Sequence, residues 1–195
     1  TDAQTKLMKC VELLLKAGEI QWQGSLRATY NKYLHPDVLD YKNPQMWEDR
    51  QNGKIANLFQ FETQVGAVCI KRTRPTSVAE LGAANAVMRL MGEDGEERPL
   101  DRYVRFRNNI NEWYKEMNEA GLTPEEQQVL KEELLSKYGN SVEQEDMMRL
   151  VQRPEIANFT LGEANLLRKA VAKKDAKKIE KMKKRFFEAV DEGGE

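Results

Sequence analysis

The sequence is poor in the residues and patterns that most catalytic and metal-binding motifs require. It has one histidine, so a His-dependent triad would rest on His35 alone, and His35 sits in the loop LHPD with no nucleophile in recognisable context. It reads as a loop residue. Its two cysteines, Cys10 and Cys69, are far apart, with no CxxC spacing and no histidine partner, which excludes a disulfide framework and a zinc site and leaves two buried, reduced thiols as the expectation. No Gly-rich phosphate loop or dinucleotide fingerprint occurs. No apolar run approaches the roughly 18 residues of a spanning helix, and TDAQTKLMKC lacks the apolar stretch of a signal peptide, so no membrane partner and a cytoplasmic location are expected. The acidic runs EQED at 143–146 and Glu125/Glu126 have the pattern of solvated helix faces, so no metal site is expected from them.

What the chain does have is charge, and the charge is sorted. Its 195 residues are 40% apolar and 32% charged, with 31 Lys and Arg against 32 Asp and Glu. A net charge of −1 excludes a globally basic nucleic-acid binder, so an electrostatic function must come from local segregation. Residues 112–146 are mostly acidic in their charges, whereas 160–185 hold ten basic residues against three acidic ones. The mean hydropathy of −0.73 puts much of each helix in water. One sizeable core or two lobes both fit the length. A start at Thr1 and the ending DEGGE suggest a piece of a longer chain.

Helix punctuation recurs from end to end and strand-like alternation hardly appears, which predicts an all-α fold. A first helix over about 3–17 carries Leu7, Val11 and Leu14 on one side and stops at Gly18. A looser stretch follows, and then Asn43 caps a short helix with Pro44 at its first position and Met46 and Trp47 on its apolar side. LFQFET is the one place where extended backbone is expected, before a helix over about 64–72. Ser77 and Glu80 make a capping-box pattern, followed by the stripe Val78, Leu81, Ala84, Met88 and Met91, with Gly92 as the stop. A long helix over about 100–120 places Leu100, Val104, Trp113 and Met117 near one face. Thr123, Pro124 and Glu126 open the next helix, which runs to Lys137; Ser141 and Gln144 open another, which stops before Pro154.

Thr160 and Glu163 repeat the capping-box spacing at the head of the basic segment. Leu161, Ala164, Leu167 and Val171 are expected to face inward, with Arg168, Lys169 and Lys173 on an outer arc of about 140°. Asp175 then caps a second helix that buries Ile179, Met182 and Phe186 and exposes Lys177, Lys178, Lys181, Lys184 and Arg185. From charge alone this is either a solvated lysine face or a phosphate-binding surface. Arg168 offers a planar donor fork, and the helix start near Thr160 adds unpaired N–H groups, both of which suit phosphate.

Taken in order, these segments resemble the replicative C-family DNA polymerases: the bacterial DNA polymerase III alpha subunit and phage-encoded relatives. LFQFET at 58–63 is similar to that family's FQ-[LF]-E-[ST] segment, and RPTSVAEL at 74–81 to its RP-x-x-F-x-[ED]-L stretch. RPLDRYVRFR at 98–107 and KYGN with QEDMMRL at 137–150 follow, and TLGEANLLRKAVAKK at 160–174 resembles the signature TLG-x-AD-x-LRRAMGKK. The likeness covers about residues 1–190, more weakly over the first 57.

The resemblance implies an irregular multi-helix bundle of the fingers type. Residues 1–57 would be connecting helices and loops from the palm, 58–190 the fingers domain and 191–195 a tail. It implies a DNA-directed DNA polymerase, a nucleotidyltransferase, whose fingers bind the incoming dNTP and the template–primer during replication, with other replisome proteins as further partners. Arg168, Lys169, Lys173 and Lys174 map onto positions that meet the triphosphate or nearby DNA phosphates, and Arg98 is a further candidate. The family's catalytic aspartates, which hold Mg²⁺, lie in the palm upstream of Thr1, so this piece carries no catalytic residue or cofactor and is expected to be inactive alone. Departures from the family pattern are Lys169 for a second arginine, Ala172 for glycine, EERPL in place of a Pro-Gly-Pro turn, and Pro154 with about two extra residues before TLGEA; they suit a divergent, viral-type member. The alternative is a free-standing α-helical protein-interaction module with separate acidic and basic faces.

Overall fold

Many of the start and stop signals act where they stand, and the described residues are mostly helical. The computed structural model describes residues 2–56, 58–90, 92 and 95–192, without the side chains of 189–192, so Met91 and the end of the expected tail lie outside the described residues. Among the described residues there are eleven α-helices and no strand, in agreement with the all-α expectation, and no helix is long and apolar enough to cross a membrane. The chain divides into two compact units, residues 1–46 and 47–195.

In the first unit, α1 (Asp2–Ala17) ends at Gly18 and buries Val11 completely, whereas Leu7 stays 38% exposed and Cys10, expected inside, is exposed. The stretch expected to be loose contains α2 (Leu26–Tyr33), capped by Ser25, whose hydroxyl accepts from the Ala28 N–H at 3.0 Å. Its only buried side chain is Thr29, which donates to the Ser25 carbonyl at 2.7 Å and accepts from the Gln23 N–H at 3.1 Å. A helix held by a buried hydroxyl leaves no apolar stripe to read. His35 is structural: Nδ1 accepts from the Asp37 N–H at 3.3 Å at the head of a short 3-10 turn over Pro36–Val38. Asn43 caps α3 (Pro44–Gln51) through the Gln45 N–H at 2.9 Å.

In the second unit LFQFET forms turns, with Phe61 buried and Phe59 77% exposed, and leads into α4 (Gln64–Thr73). α5 (Val78–Val87) stops well before Gly92, and only half of its expected capping box forms. Ser77 accepts from the Glu80 N–H at 3.1 Å, but the Glu80 carboxylate accepts from the Thr76 N–H at 2.7 Å and from the Tyr138 hydroxyl. The long helix expected over 100–120 is two, α6 (Pro99–Asn108) and α7 (Ile110–Glu119). Asn109 breaks it, with φ −148° and ψ 91°, because its side chain caps α7 by accepting from the Asn111 N–H. The break lets Tyr103 and Phe106 bury on α6 while Trp113 and Met117 bury on α7.

α8 (Pro124–Leu134) carries both halves of the Thr123–Glu126 capping box and continues through a 3-10 turn over Leu135–Lys137. α9 (Gln144–Gln152) starts later than Ser141 suggests, with Glu143 at the cap and its N–H donating to Asp146 Oδ2 at 2.9 Å, and it stops before Pro154 as expected. α10 (Leu161–Ala172) and α11 (Ala176–Glu192) complete the unit. Apolar clusters succeed one another along it: Phe61, Ile70 and Ala84; then Val87, Tyr103 and Val142; then Phe106, Trp113 and Leu134; and last Val151, Phe159, Ala164 and Met182.

The segment KYGN links the second and third of these clusters through Tyr138. Lys137 pairs with Glu143 and with Asp146, a fully buried carboxylate that also accepts from the N–H groups of Val142 at 3.0 Å and Glu143 at 2.9 Å. Tyr138, in the left-handed region at φ 53°, meets the Tyr103 ring edge-on at 5.6 Å. Gly139 (φ 73°) lies flat on Trp113, and a Cβ there would stand 2.3 Å from the ring. Asn140, 7% exposed, donates to the carbonyls of Lys137 and Tyr138 at 3.2 and 2.8 Å.

Gly139→Ala is therefore expected to cost about 3 kcal/mol or more, from overpacking added to left-handed strain. Gly121→Ala, at φ 77° but with nothing within 4 Å of the added carbon, should cost only about 1 kcal/mol. Urea unfolding of the two variants checks the difference; equal losses would mean that the Trp113 contact contributes nothing.

Burial pushes the Glu80 carboxyl up, but the Tyr138 hydroxyl, the Thr76 N–H and hydroxyl and the Arg107 charge outweigh it and hold the carboxyl below its ordinary 4.5. The unfolded state then takes up the proton first. The stabilisation from Glu80 is fully present above about pH 4.5 and is lost as pH falls through the lowered folded-state value. The stability difference between the native chain and Glu80→Gln, measured by urea unfolding from pH 7 to pH 3, should be largest at pH 7 and shrink in acid.

Candidate functional site

The basic segment folds as a helical hairpin set on α9. Its N-terminal anchor is a complete capping box: the Thr160 hydroxyl accepts from the Glu163 N–H at 3.3 Å, and Glu163 Oε2 accepts from the Thr160 N–H at 2.8 Å. These two Thr160 donors, the N–H first and then the hydroxyl, together with Arg185 hold the Glu163 carboxyl below the usual range. Glu163 Oε1 also accepts from Arg185 Nε at 3.1 Å, and the Arg185 guanidinium lies 5.4 Å from the centre of the Phe159 ring. Arg185 is thus half-buried and neutralised, not exposed as the helical spacing suggests.

α10 turns inward on small residues. Ala164 and Ala170 are buried and Leu167 packs against the same core, but Leu161 and Val171, expected inside, are 66% and 45% exposed. Leu166, in the middle of the helix, is also exposed, so the inward face is the Ala164, Leu167 and Ala170 side. Met182 and Phe186 come in from α11, as their spacing predicts.

The hairpin turn places three lysines. Lys174, at φ 51°, donates its N–H to the Val171 carbonyl at 3.0 Å, and the Asp175 N–H reaches the Ala170 carbonyl at 3.0 Å, a Schellman closure with lysine where glycine is usual. Lys173 is the C-cap residue, and Lys169, one turn back, is exposed like both of them. Asp175 caps α11 through the Lys178 N–H at 3.2 Å and pairs with the Lys178 ammonium at 3.0 Å.

Arg168 lies on the flank of α10 turned to α9. It is half-buried, and its guanidinium donates to the side-chain oxygens of Asn165 and Gln144. Among the described residues no carboxylate pairs with Arg168, Lys169, Lys173 or Lys174, whereas Lys178 and Arg185 on the same hairpin are both neutralised. The four candidates thus share one hairpin and keep their full charge, which suits them to an anion. Arg98 stands apart, exposed at the start of α6, which packs on α4, α5 and α7. Gln144 was missed in sequence because it comes from another helix; Asn165, three residues before Arg168, was within reach of helical spacing.

A family model for the bacterial DNA polymerase III alpha subunit finger domain matches residues 20–194. Over 193 residues, 99% of this chain, the chain is 42% identical to a probable DNA polymerase, YorL, of Bacillus subtilis, and equally to a DNA-directed DNA polymerase of Bacillus phage SPbeta. It is 30% identical over 165 residues, 85% of the chain, to the DNA polymerase III subunit alpha of Treponema pallidum, of which it covers 13%. The chain spans 15% of the length of the two Bacillus relatives.

The left-handed lysine separates backbone from charge. Lys174→Gly should stabilise the chain by about 1 kcal/mol in thermal or urea unfolding, because glycine carries no penalty at this φ. A destabilised variant would show that the Lys174 side chain holds the turn.

Proposed function

The chain belongs to the bacterial DNA polymerase III alpha subunit finger-domain family, and from that premise we propose that it binds the incoming deoxynucleoside triphosphate and the template–primer backbone of a DNA-directed DNA polymerase. The observation that carries this reading is the set of four cations without a carboxylate partner among the described residues, Arg168, Lys169, Lys173 and Lys174, on a capped hairpin in which only Lys178 and Arg185 of the ten basic residues in 160–185 are paired. Residues 58–190 form the fingers, 1–57 the connection toward the palm and 191–195 a tail; Arg98 is a secondary candidate for phosphate.

Charge at that place acts on the step in which the 3′ oxygen of the primer attacks the α-phosphorus and pyrophosphate leaves. Negative charge builds on the leaving oxygens, and fixed cations that meet it without reorganising stabilise the transition state more than the bound substrate. Arg168 can grip two phosphate oxygens through its planar fork, whereas the lysines act as point charges. Among the described residues no group of three or more His, Cys, Asp or Glu side chains is gathered as a metal ion requires. The two Mg²⁺ ions of such a transfer belong on palm aspartates outside this chain.

The test is binding of a labelled primer–template to the 195-residue chain as salt is raised. Four phosphate contacts should give a slope of log affinity against log salt of about −3 to −4, falling by about two in Arg168→Ala/Lys169→Ala. The chain alone with dNTPs and Mg²⁺ should not extend the primer. A salt slope unchanged by the double substitution, with the variant folded by circular dichroism, would remove these residues from the site.

A further inference from the structure

The Arg168 guanidinium is held by three hydrogen bonds. Nε and Nη2 donate to Asn165 Oδ1 at 3.1 and 2.9 Å, and Nη1 donates to Gln144 Oε1 at 2.9 Å. Both acceptors are neutral amides. Elsewhere in the chain several half-buried arginines are gripped by acids: Arg105 by Glu97, Glu112 and Glu116, Arg153 by Glu132 and Glu155, Arg185 by Glu163, whereas Arg50 donates to the Lys54 carbonyl. A carboxylate grip fixes an arginine and cancels its charge. An amide grip fixes it and leaves the charge in place.

We infer that Gln144 and Asn165 are positioning residues that orient Arg168 for an anionic ligand while preserving its charge; this rests on the assignment of Arg168 to phosphate. A guanidinium has five N–H donors. Three are occupied, which leaves one on each terminal nitrogen to reach two oxygens of one phosphate. Holding the long side chain in advance lowers the ordering cost of binding. Gln144 is the informative member because it reaches Arg168 from the first turn of α9, so the fork is fixed by two helices at once.

The experiment titrates the 195-residue chain with inorganic tripolyphosphate by calorimetry at fixed salt, with thermal unfolding of each variant alongside. Gln144→Glu and Asn165→Asp place a carboxylate where each amide stands and should each weaken binding about 10-fold; Gln144→Ala, which frees the fork without neutralising it, should weaken it about 3-fold. Gln144→Glu should not lower the unfolding temperature, because an acidic residue in the first turn of α9 suits the helix dipole. In an Arg168→Ala background, Gln144→Glu should change affinity less than 2-fold. If Arg168→Ala weakens binding but Gln144→Glu does not, the positioning role is wrong and the phosphate contact stands. If Arg168→Ala itself leaves binding unchanged, the phosphate contact fails and the positioning role with it. A Gln144→Glu effect that persists in full without Arg168 also overturns the inference, because the new charge would then act on the surface as a whole.

Discussion

The buried Asp146 carboxylate is the constraint on which the second unit depends. A fully buried carboxyl group is tolerable only when its lone pairs are filled, and here Lys137, Arg149 and the N–H groups of Val142 and Glu143 fill them. Such an arrangement gives little net stability over an apolar replacement, but it fixes geometry, because removal of any partner leaves a charge stranded in the core. It sets the angle between the end of α8 and the start of α9 and holds the KYGN corner between them. Tyr138 and Gly139 then fall where they can meet Tyr103, Glu80 and Trp113.

The candidate site takes its position from that corner. α9 is fixed at its first turn by Asp146, and the same turn carries Gln144, which reaches Arg168. α10 packs on α9 and on α11, and its own first turn is closed by Thr160 and Glu163, with Arg185 of α11 bound to the same carboxylate. The hairpin is therefore tied at its head by an ion pair and along its flank by an amide clamp. Lys169, Lys173 and Lys174 project from a hairpin in which Asp175 and Glu163 are already paired, with Lys178 and Arg185, so their field is not spent on those carboxylates.

Acidic and basic residues are nearly equal in number over the chain, yet they do not cancel everywhere. The acids of 112–146 are drawn into ion pairs with arginines of α6, α9 and the loop after α9. The excess of lysine in 160–185 has too few acids nearby to be balanced, and the two that pair there serve as helix caps. A chain with net charge −1 can in this way present a local cationic surface.

Much of this was legible in the order of residues. Thr123–Glu126 and Thr160–Glu163 start helices because capping is a contact between residues three apart, and Pro154 and Gly18 stop them for equally local reasons. The family signature and the basic hairpin were visible for the same cause. Ser77–Glu80 and Ser141–Gln144 have comparable spacing, but Glu80 was drawn away by Tyr138, 58 residues distant, and Asp146 was claimed by Glu143 and Lys137. The outward turn of Leu161 and Val171 and the pairing of Arg185 depended on what the neighbouring helices offered, whereas the break at Asn109 is a local cap that was missed in sequence. Local sequence determined most helix starts, which depend on contacts within a turn, and which residues carry charge; α2, whose only buried side chain is Thr29, left no such pattern. Tertiary structure alone decided which charges are neutralised and which remain free, because that depends on partners brought near by packing, as Gln144 is brought to Arg168.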